Sequence, residues 1–425
     1  MFNRRRRYSS YNSYSRRSYS RGYGRRYNRG SRIRVERVAL IAGIVVFVLG
    51  VVVLLNLSRI KLMFKGYSFA QQGDVLKLSK DEVNEILTHD KMENISKWIE
   101  NSKNVKYYDE YEKYLSIHED SKHKDVVDTV DNYFDNYIPK IQTLNYSEEQ
   151  IWEILETADH TDLQYLIDHN YSYAQIKPYM QVKGFEYTDI EEYMNLYSTS
   201  QNYNYAVLAT TYPFIISTNK PETTYTIQNV KDINILVKPG FMLPSSYVPN
   251  DLKKPDDIPV APDCDHYQLR LEAADALTKM YNAAKNEGYY LVINSAYRSY
   301  TDQQKTYDEY FKRYDEVTAS GLVAKPGTSE HQTGLGVDLT SQSVLDGKRL
   351  VFGDTAEYKW CKENSFKYGF ILRFPEDQSA TTGIAHEPWH FRYVGVDAAT
   401  ECYQNEWTYE EYCLNKGVIP TIKQN

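Results

Sequence analysis

Between Val38 and Leu55 the chain reads VALIAGIVVFVLGVVVLL, eighteen residues without a polar side chain. No other feature restricts the fold as strongly. At 1.5 Å per residue, a helix of that length covers about 27 Å, near the hydrocarbon thickness of a bilayer. A core helix of a soluble protein would carry some polar residues. A cleaved signal peptide would end at a small-x-small site, whereas Asn56-Leu57-Ser58 follows here. Residues 38–57 are therefore expected to form an uncleaved transmembrane helix in the lipid bilayer.

The charge distribution sets its orientation. Residues 1–37 hold thirteen Arg and a single acid, Glu36, for a formal charge of +12. The other flank offers Arg59, Lys61 and Lys65. The positive-inside rule then predicts a single-pass protein of the cell membrane, N-terminus cytoplasmic, with everything after the helix outside. Beyond residue 37 the chain holds 37 basic and 56 acidic residues, −19, so the overall −7 joins two compartments. Such a division excludes one nucleic-acid-binding domain with a basic face, and no specific nucleic acid is predicted as a partner. The Arg/Tyr-rich tail, residues 1–37, lacks aliphatic residues to bury and is expected to be disordered. A topology signal is its simplest role; contact with anionic lipid or RNA is the further one.

Residues 58–215 read as an extracytoplasmic all-α, repeat-like region. LSKDEVNEIL (78–87) aligns with YSEEQIWEIL (146–155), and shorter echoes follow at 170–180 and 186–197. Ser79 and Ser147 are placed to cap helix starts. Val83, Ile86 and Leu87, and likewise Ile151, Ile154 and Leu155, should face inward. The region's many tyrosines at helical spacing suit core packing better than a glycan platform. Residues 216–231 (STNKPETTYTIQNVKD) read as a linker. From residue 232 to 425 strands and helices alternate, the pattern of a mixed α+β domain. Helices are expected at Asp265–Glu287, at Tyr300–Val317 and after a cap at Asp354. Strands are expected at 289–296, 334–340, 370–373 and 389–394. Cys264, Cys361, Cys402 and Cys413 allow two disulfides or four free thiols.

Three stretches of this domain concentrate chemistry: SAYRSYTDQQ (295–304), GTSEHQTGLGVDLT (327–340) and HEPWHFRYVG (386–395). The last contains His-Glu-x-x-His, His386 to His390, which on a helix would place two imidazoles on one face of a zinc site. Pro388 lies inside that turn, where it removes an N–H and clashes with the turn before it. A different set avoids the helix. His331, Asp338 and His390 supply two imidazoles and a carboxylate, the ligand types of catalytic zinc. Glu387 remains, placed to take a proton from water and pass it to a leaving amine. Gly334 and Gly336 between the first two ligands would allow tight turning.

The pattern Ser-x-His-x-x-Gly-x-x-x-Asp followed by Glu-x-Trp-His-x-Arg-Tyr resembles the VanY-type D-alanyl-D-alanine carboxypeptidases. Tyr297–Gln303 and the segment ILVKPGFMLPSSYVPNDL (235–252) fit the same family. The resemblance spans about residues 232–415; Gly336 replaces a frequent Ala and Phe374 a common Tyr. It implies a mixed zinc-peptidase fold, one Zn²⁺ ion on His331, Asp338 and His390, Glu387 as general base, and peptidoglycan stem peptides as substrate. His386 is not a ligand position in that family. It also implies that Arg298 meets the substrate's terminal carboxylate as a bidentate clamp, with Ser329 and Gln303 lining the pocket. Arg373 and Arg392 are less defined, and Trp389 is expected to pack beneath the site. The expected activity is removal of the terminal D-amino acid from stem peptides. An L,D-carboxypeptidase or D,D-dipeptidase could use the same ligands, and a wall-binding scaffold with an accessory peptidase is a rival of another class.

Overall fold

The computed structural model describes residues 29–102, 105–217, 221, 223–349 and 351–424. Residues 1–28, most of the tail expected to touch anionic lipid or RNA, lie outside the described residues. The chain divides into two compact units, Met1–Asn132 and Tyr133–Asn425.

In the first unit the apolar run lies in a helix, Arg29–Leu55, whose Arg34–Leu55 portion is long and apolar enough to cross a membrane. This helix starts nine residues before Val38, because the preceding Arg, Ile and Val residues include no helix breaker after Gly30. Short helices follow. Ser79 starts one as expected: its side chain accepts from the Glu82 N–H, and the Glu82 carboxylate accepts from the Ser79 N–H. Val83 and Ile86 are buried while Leu87 is half-exposed. Trp98, Tyr108 and Tyr111 are fully buried, so these aromatics are core.

The second unit opens with more short helices. Ser147 makes the same reciprocal cap with Gln150, and Ile151, Ile154 and Leu155 are buried. Tyr179, Tyr187 and Tyr193 are buried as well. The helix Tyr203–Thr211 packs on the C-terminal helix Tyr409–Lys416. Asn202 Nδ2 donates to the Asn415 carbonyl (3.1 Å), and Lys183 Nζ to that of Pro420 (2.9 Å). Within the stretch read as a linker, Tyr225–Ile227 is a strand between Phe241–Met242, parallel, and Ile422–Gln424, antiparallel.

The centre of this unit is a four-stranded antiparallel sheet. Its strands are β1 (Leu291–Ser295), β2 (Gly336–Ser341), β3 (Phe370–Leu372) and β4 (His390–Tyr393), in spatial order β1-β2-β4-β3. Alternation decides what each face carries. Leu291, Ile293, Val337, Leu339, Phe391 and Tyr393 enter a core with Ala273, Leu277, Tyr281 and Ala284 of the helix Leu271–Asn286. Asp338 and His390, one position out of phase, point the other way.

Three sequence expectations shift. The helix expected from Asp265 begins at Leu271, because Leu269–Arg270 pairs as a strand with Leu252–Lys253. The helix expected over Tyr300–Val317 ends at Arg313, and Glu316–Leu322 starts anew, its Thr318 N–H bonded to the Asp315 carboxylate. Thr355 rather than Asp354 caps the helix Ala356–Asn364, accepting from the Tyr358 N–H. All four cysteines are free thiols.

Leu208, fully buried on the helix Tyr203–Thr211, gives a test of that helix's place in the folded unit. Leu208→Ala should lower the unfolding free energy by about 2–5 kcal/mol, seen as a lower denaturant midpoint at unchanged m-value. An unchanged midpoint would mean that the helix adds nothing to the unit's stability.

Candidate metal centre

Strand register builds the site. Asp338 on β2 pairs directly with His390 on β4, and across the other edge with Ser295 on β1, just past a bulge. Side chains opposite each other in a sheet start about 5 Å apart, so the ladder alone brings carboxylate and imidazole together. The third member comes from the short 3₁₀ turn Glu330–Thr333 before β2. Gly334 closes that turn at φ +70°, a conformation a side chain would strain. Gly336 is not a turn residue. It lies in β2 beneath His390, where an added Cβ would come within 3.2 Å of the imidazole Cε1.

One ligand atom each from His331, Asp338 and His390 lies within 4.8 Å of the others. The hydrogen bonds sort the ring nitrogens. His331 Nδ1 sits 2.6 Å from the Ala296 carbonyl, which can only accept, so Nδ1 holds the proton and Nε2 faces Asp338 Oδ2 at 3.4 Å. His390 Nδ1 lies 2.8 Å from Asp338 Oδ1. Two buried imidazole nitrogens and a carboxylate around one point form the donor set of zinc, and the backbone carbonyl behind His331 is the usual support for such a ligand. The residues fit the ion that the motifs imply.

Electrostatics agree. Burial and the nearby Arg298 guanidinium press the His331 pKa down, toward the neutral imidazole a metal needs, although Asp338 opposes them. Burial alone would raise the Asp338 pKa, yet His331 and His390 hold it well below the usual carboxylate range. Burial also disfavours charge on His390, but Asp338 and Glu330 outweigh it and raise its pKa to about 10. The cluster thus attracts positive charge strongly.

Glu387 lies in the turn before β4, half-buried, its N–H bonded to the Phe374 carbonyl. Burial, with Asp338 and Glu330 adding to it, pushes its pKa up to about 7 against the pull of His390 and Arg298. A carboxyl so poised can accept a proton and return it near neutral pH. Arg298 follows β1; its guanidinium donates to Gln303 Oε1 (2.9 Å) and Ser295 Oγ (3.0 Å). Gln303 in turn donates to the Ala324 carbonyl (2.7 Å), so it orients Arg298 from a buried position. Ser329 is buried at the start of the 3₁₀ turn, and its side chain caps nothing there.

Other expectations resolve differently. His386 turns away: its Nδ1 bonds the Phe374 carbonyl at 2.9 Å, and residues 384–389 form no helix. The two-histidine helical reading therefore fails, for the reason Pro388 gave. Trp389 does not pack beneath the site; it is 39% exposed. Arg373 and Arg392 are fully buried. Arg373 pairs with Glu330 and Glu410, and Arg392 with Glu330 and the carbonyls of Ile233 and Ile235. Glu330 was missed by the sequence reading. Its one local sign is a carboxylate next to a candidate ligand histidine inside a turn that burial would make costly.

A family model described as VanY, D-alanyl-D-alanine carboxypeptidase, matches residues 266–396. A putative carboxypeptidase, YodJ of Bacillus subtilis, is 44% identical over 188 residues, which cover 44% of this chain and 69% of that protein. The bifunctional D-Ala-D-Ala dipeptidase and D-Ala-D-Ala carboxypeptidase VanXYC of Enterococcus gallinarum is 34% identical, covering 38% of this chain and 85% of that protein. Among solved structures, the LdcB LD-carboxypeptidase is 41% identical, with a TM-score of 0.43, over 48% of this chain and 96% of that one. A VanY D,D-pentapeptidase in complex with Zn(II) is 34% identical, with a TM-score of 0.36, over 42% of this chain and 98% of that one.

Metal analysis separates the two histidines. His386→Ala should keep one zinc per chain, whereas His390→Ala should lose it at the same free zinc concentration. Loss of metal from His386→Ala would restore the helical two-histidine reading.

Proposed function

The chain belongs to the VanY family of D-alanyl-D-alanine carboxypeptidases, and on that premise we propose that it is a membrane-anchored zinc D,D-carboxypeptidase that removes the terminal D-amino acid from peptidoglycan stem peptides. The observation that supports this best is a proton-accepting carboxyl, Glu387, beside a buried His-Asp-His donor set, with the Arg298 guanidinium near enough to act on His331 and Glu387.

His331, Asp338 and His390 would hold one zinc ion. Bound there, zinc supplies Lewis acidity: it polarises a carbonyl and lowers the pKa of an attacking water. The chain's own residues do the rest. Glu387 accepts the water's proton and delivers it to the departing amine, both transfers matched by a pKa near the working pH. Arg298 engages the substrate's terminal carboxylate with a charged, planar fork whose plane is fixed by Gln303 and Ser295. Recognition of a chain end is what distinguishes a carboxypeptidase from an endopeptidase, and a guanidinium near enough to act on the charges of both His331 and Glu387 supports that role for Arg298. Ser329 lines the same pocket.

In this reading the Arg34–Leu55 helix anchors the protein with its arginine-rich tail in the cytoplasm and both the helical and catalytic parts outside. The tail's contact with anionic lipid is part of the same proposal. The recurrent Ser- or Asp-capped short helices at 78–88, 146–154, 159–169 and 172–180 would be one repeated unit. Those in the second unit would brace the catalytic sheet through the C-terminal helix.

Glu387→Gln should stay folded and keep zinc, yet release D-alanine from a D-Ala-D-Ala peptide about 10²–10⁴-fold more slowly. Arg298→Ala should lower kcat/KM about ten- to hundredfold on peptides with a free carboxylate. Wild-type rates in the Glu387 variant would sink the mechanism.

A further inference from the structure

Four buried charges behind the metal centre need an explanation beyond stability. Glu330, Arg373, Arg392 and Glu410 are each at most 4% exposed. Buried ion pairs of this kind are often replaceable by apolar groups without loss of stability, so their presence here calls for another role.

The geometry of Glu330 suggests one. Its Oε1 accepts from Arg373 Nε at 2.9 Å and lies 3.0 Å from Arg392 Nη1 in an ion pair without hydrogen-bond geometry. Arg373 is itself fixed from behind by Glu410, whose two oxygens it meets at 2.7 and 2.9 Å. The other oxygen, Oε2, has no hydrogen-bond partner. It lies 3.5 Å from His390 Nε2, which has none either. Two buried polar atoms that each lack a partner thus face one another, and a shift of a few tenths of an ångström joins them. On the opposite side of the same ring, Nδ1 faces Asp338.

We propose that Glu330 is a positioning residue of the metal centre: Oε2 accepts from His390 Nε2–H, which selects that tautomer and aims Nδ1 at the ion beside Asp338. The two guanidiniums hold the carboxylate in that orientation. His331 is oriented from behind by a carbonyl and His390 by a carboxylate, so the two ligands are fixed by different means. The inference rests on the zinc-centre reading above.

The test uses the full chain in detergent, loaded with zinc and labelled with nitrogen-15 in histidine, His390 being assigned by substitution. The imidazole spectrum should show His390 protonated on Nε2 and metal-bound through Nδ1. Glu330→Leu removes the acceptor and should weaken zinc binding about 10–100-fold in competition with a chromogenic chelator. Glu330→Gln retains a carbonyl acceptor and should fall between Leu and wild type. Should Glu330→Leu misfold, the charge-balanced Glu330→Leu/Arg392→Met chain is measured in the same way, and the wild-type spectrum decides independently of either. A His390 proton on Nδ1, or a folded Glu330→Leu chain with wild-type zinc affinity, would overturn the proposal alone. Absence of zinc binding by the wild-type chain would overturn the metal-centre reading and this inference with it.

Discussion

The cross-strand pair Asp338–His390 is the constraint on which the rest depends. An antiparallel ladder places opposite residues within side-chain reach at no further cost. It also turns both onto one face, leaving Val337, Leu339 and Phe391 for the core on the other. A one-residue slip would bury Asp338 among apolar side chains and turn Val337 toward the site. The hydrophobic core therefore fixes the site's register, and His331 joins from a turn that Gly334 permits, Glu387 from the turn entering β4.

Burial then sets the chemistry. One low-dielectric pocket raises Glu387 to about 7, while paired charges hold Asp338 ionised. The two carboxyls are shifted in opposite directions because Asp338 faces His331 and His390 closely while Glu387 mainly loses water. Behind them, Arg373 bridges Glu330 to Glu410 of the helix Tyr409–Lys416. Lys238 extends the network toward the helical segment, pairing with Glu410 and donating to the Ile215 carbonyl at 2.6 Å.

What could be read from the sequence was local. Ser79 and Ser147 announce their helices because a reciprocal cap needs only four consecutive residues. The candidate ligands His331, Asp338 and His390 could be picked out because each motif is a short string, and the structure brings the three together. Long-range features were not. Nothing near Asp265 says that Leu269–Arg270 will pair with Leu252–Lys253 and delay the helix. Nothing near Glu330 shows that His390 and two arginines will surround it. Trp389 was misplaced because its exposure depends on how the turn before β4 leaves the sheet.

The central claim is that this centre removes one residue at a time from a D-Ala-D-Ala terminus. Its most direct test is mass spectrometry of purified muropeptides incubated with the zinc-loaded full chain, with and without chelator. The account predicts that pentapeptide stems lose a single alanine, that tetrapeptide stems persist, and that chelation stops the reaction. Release of an intact dipeptide, trimming of tetrapeptides in preference to pentapeptides, or cleavage that survives complete zinc removal would contradict it.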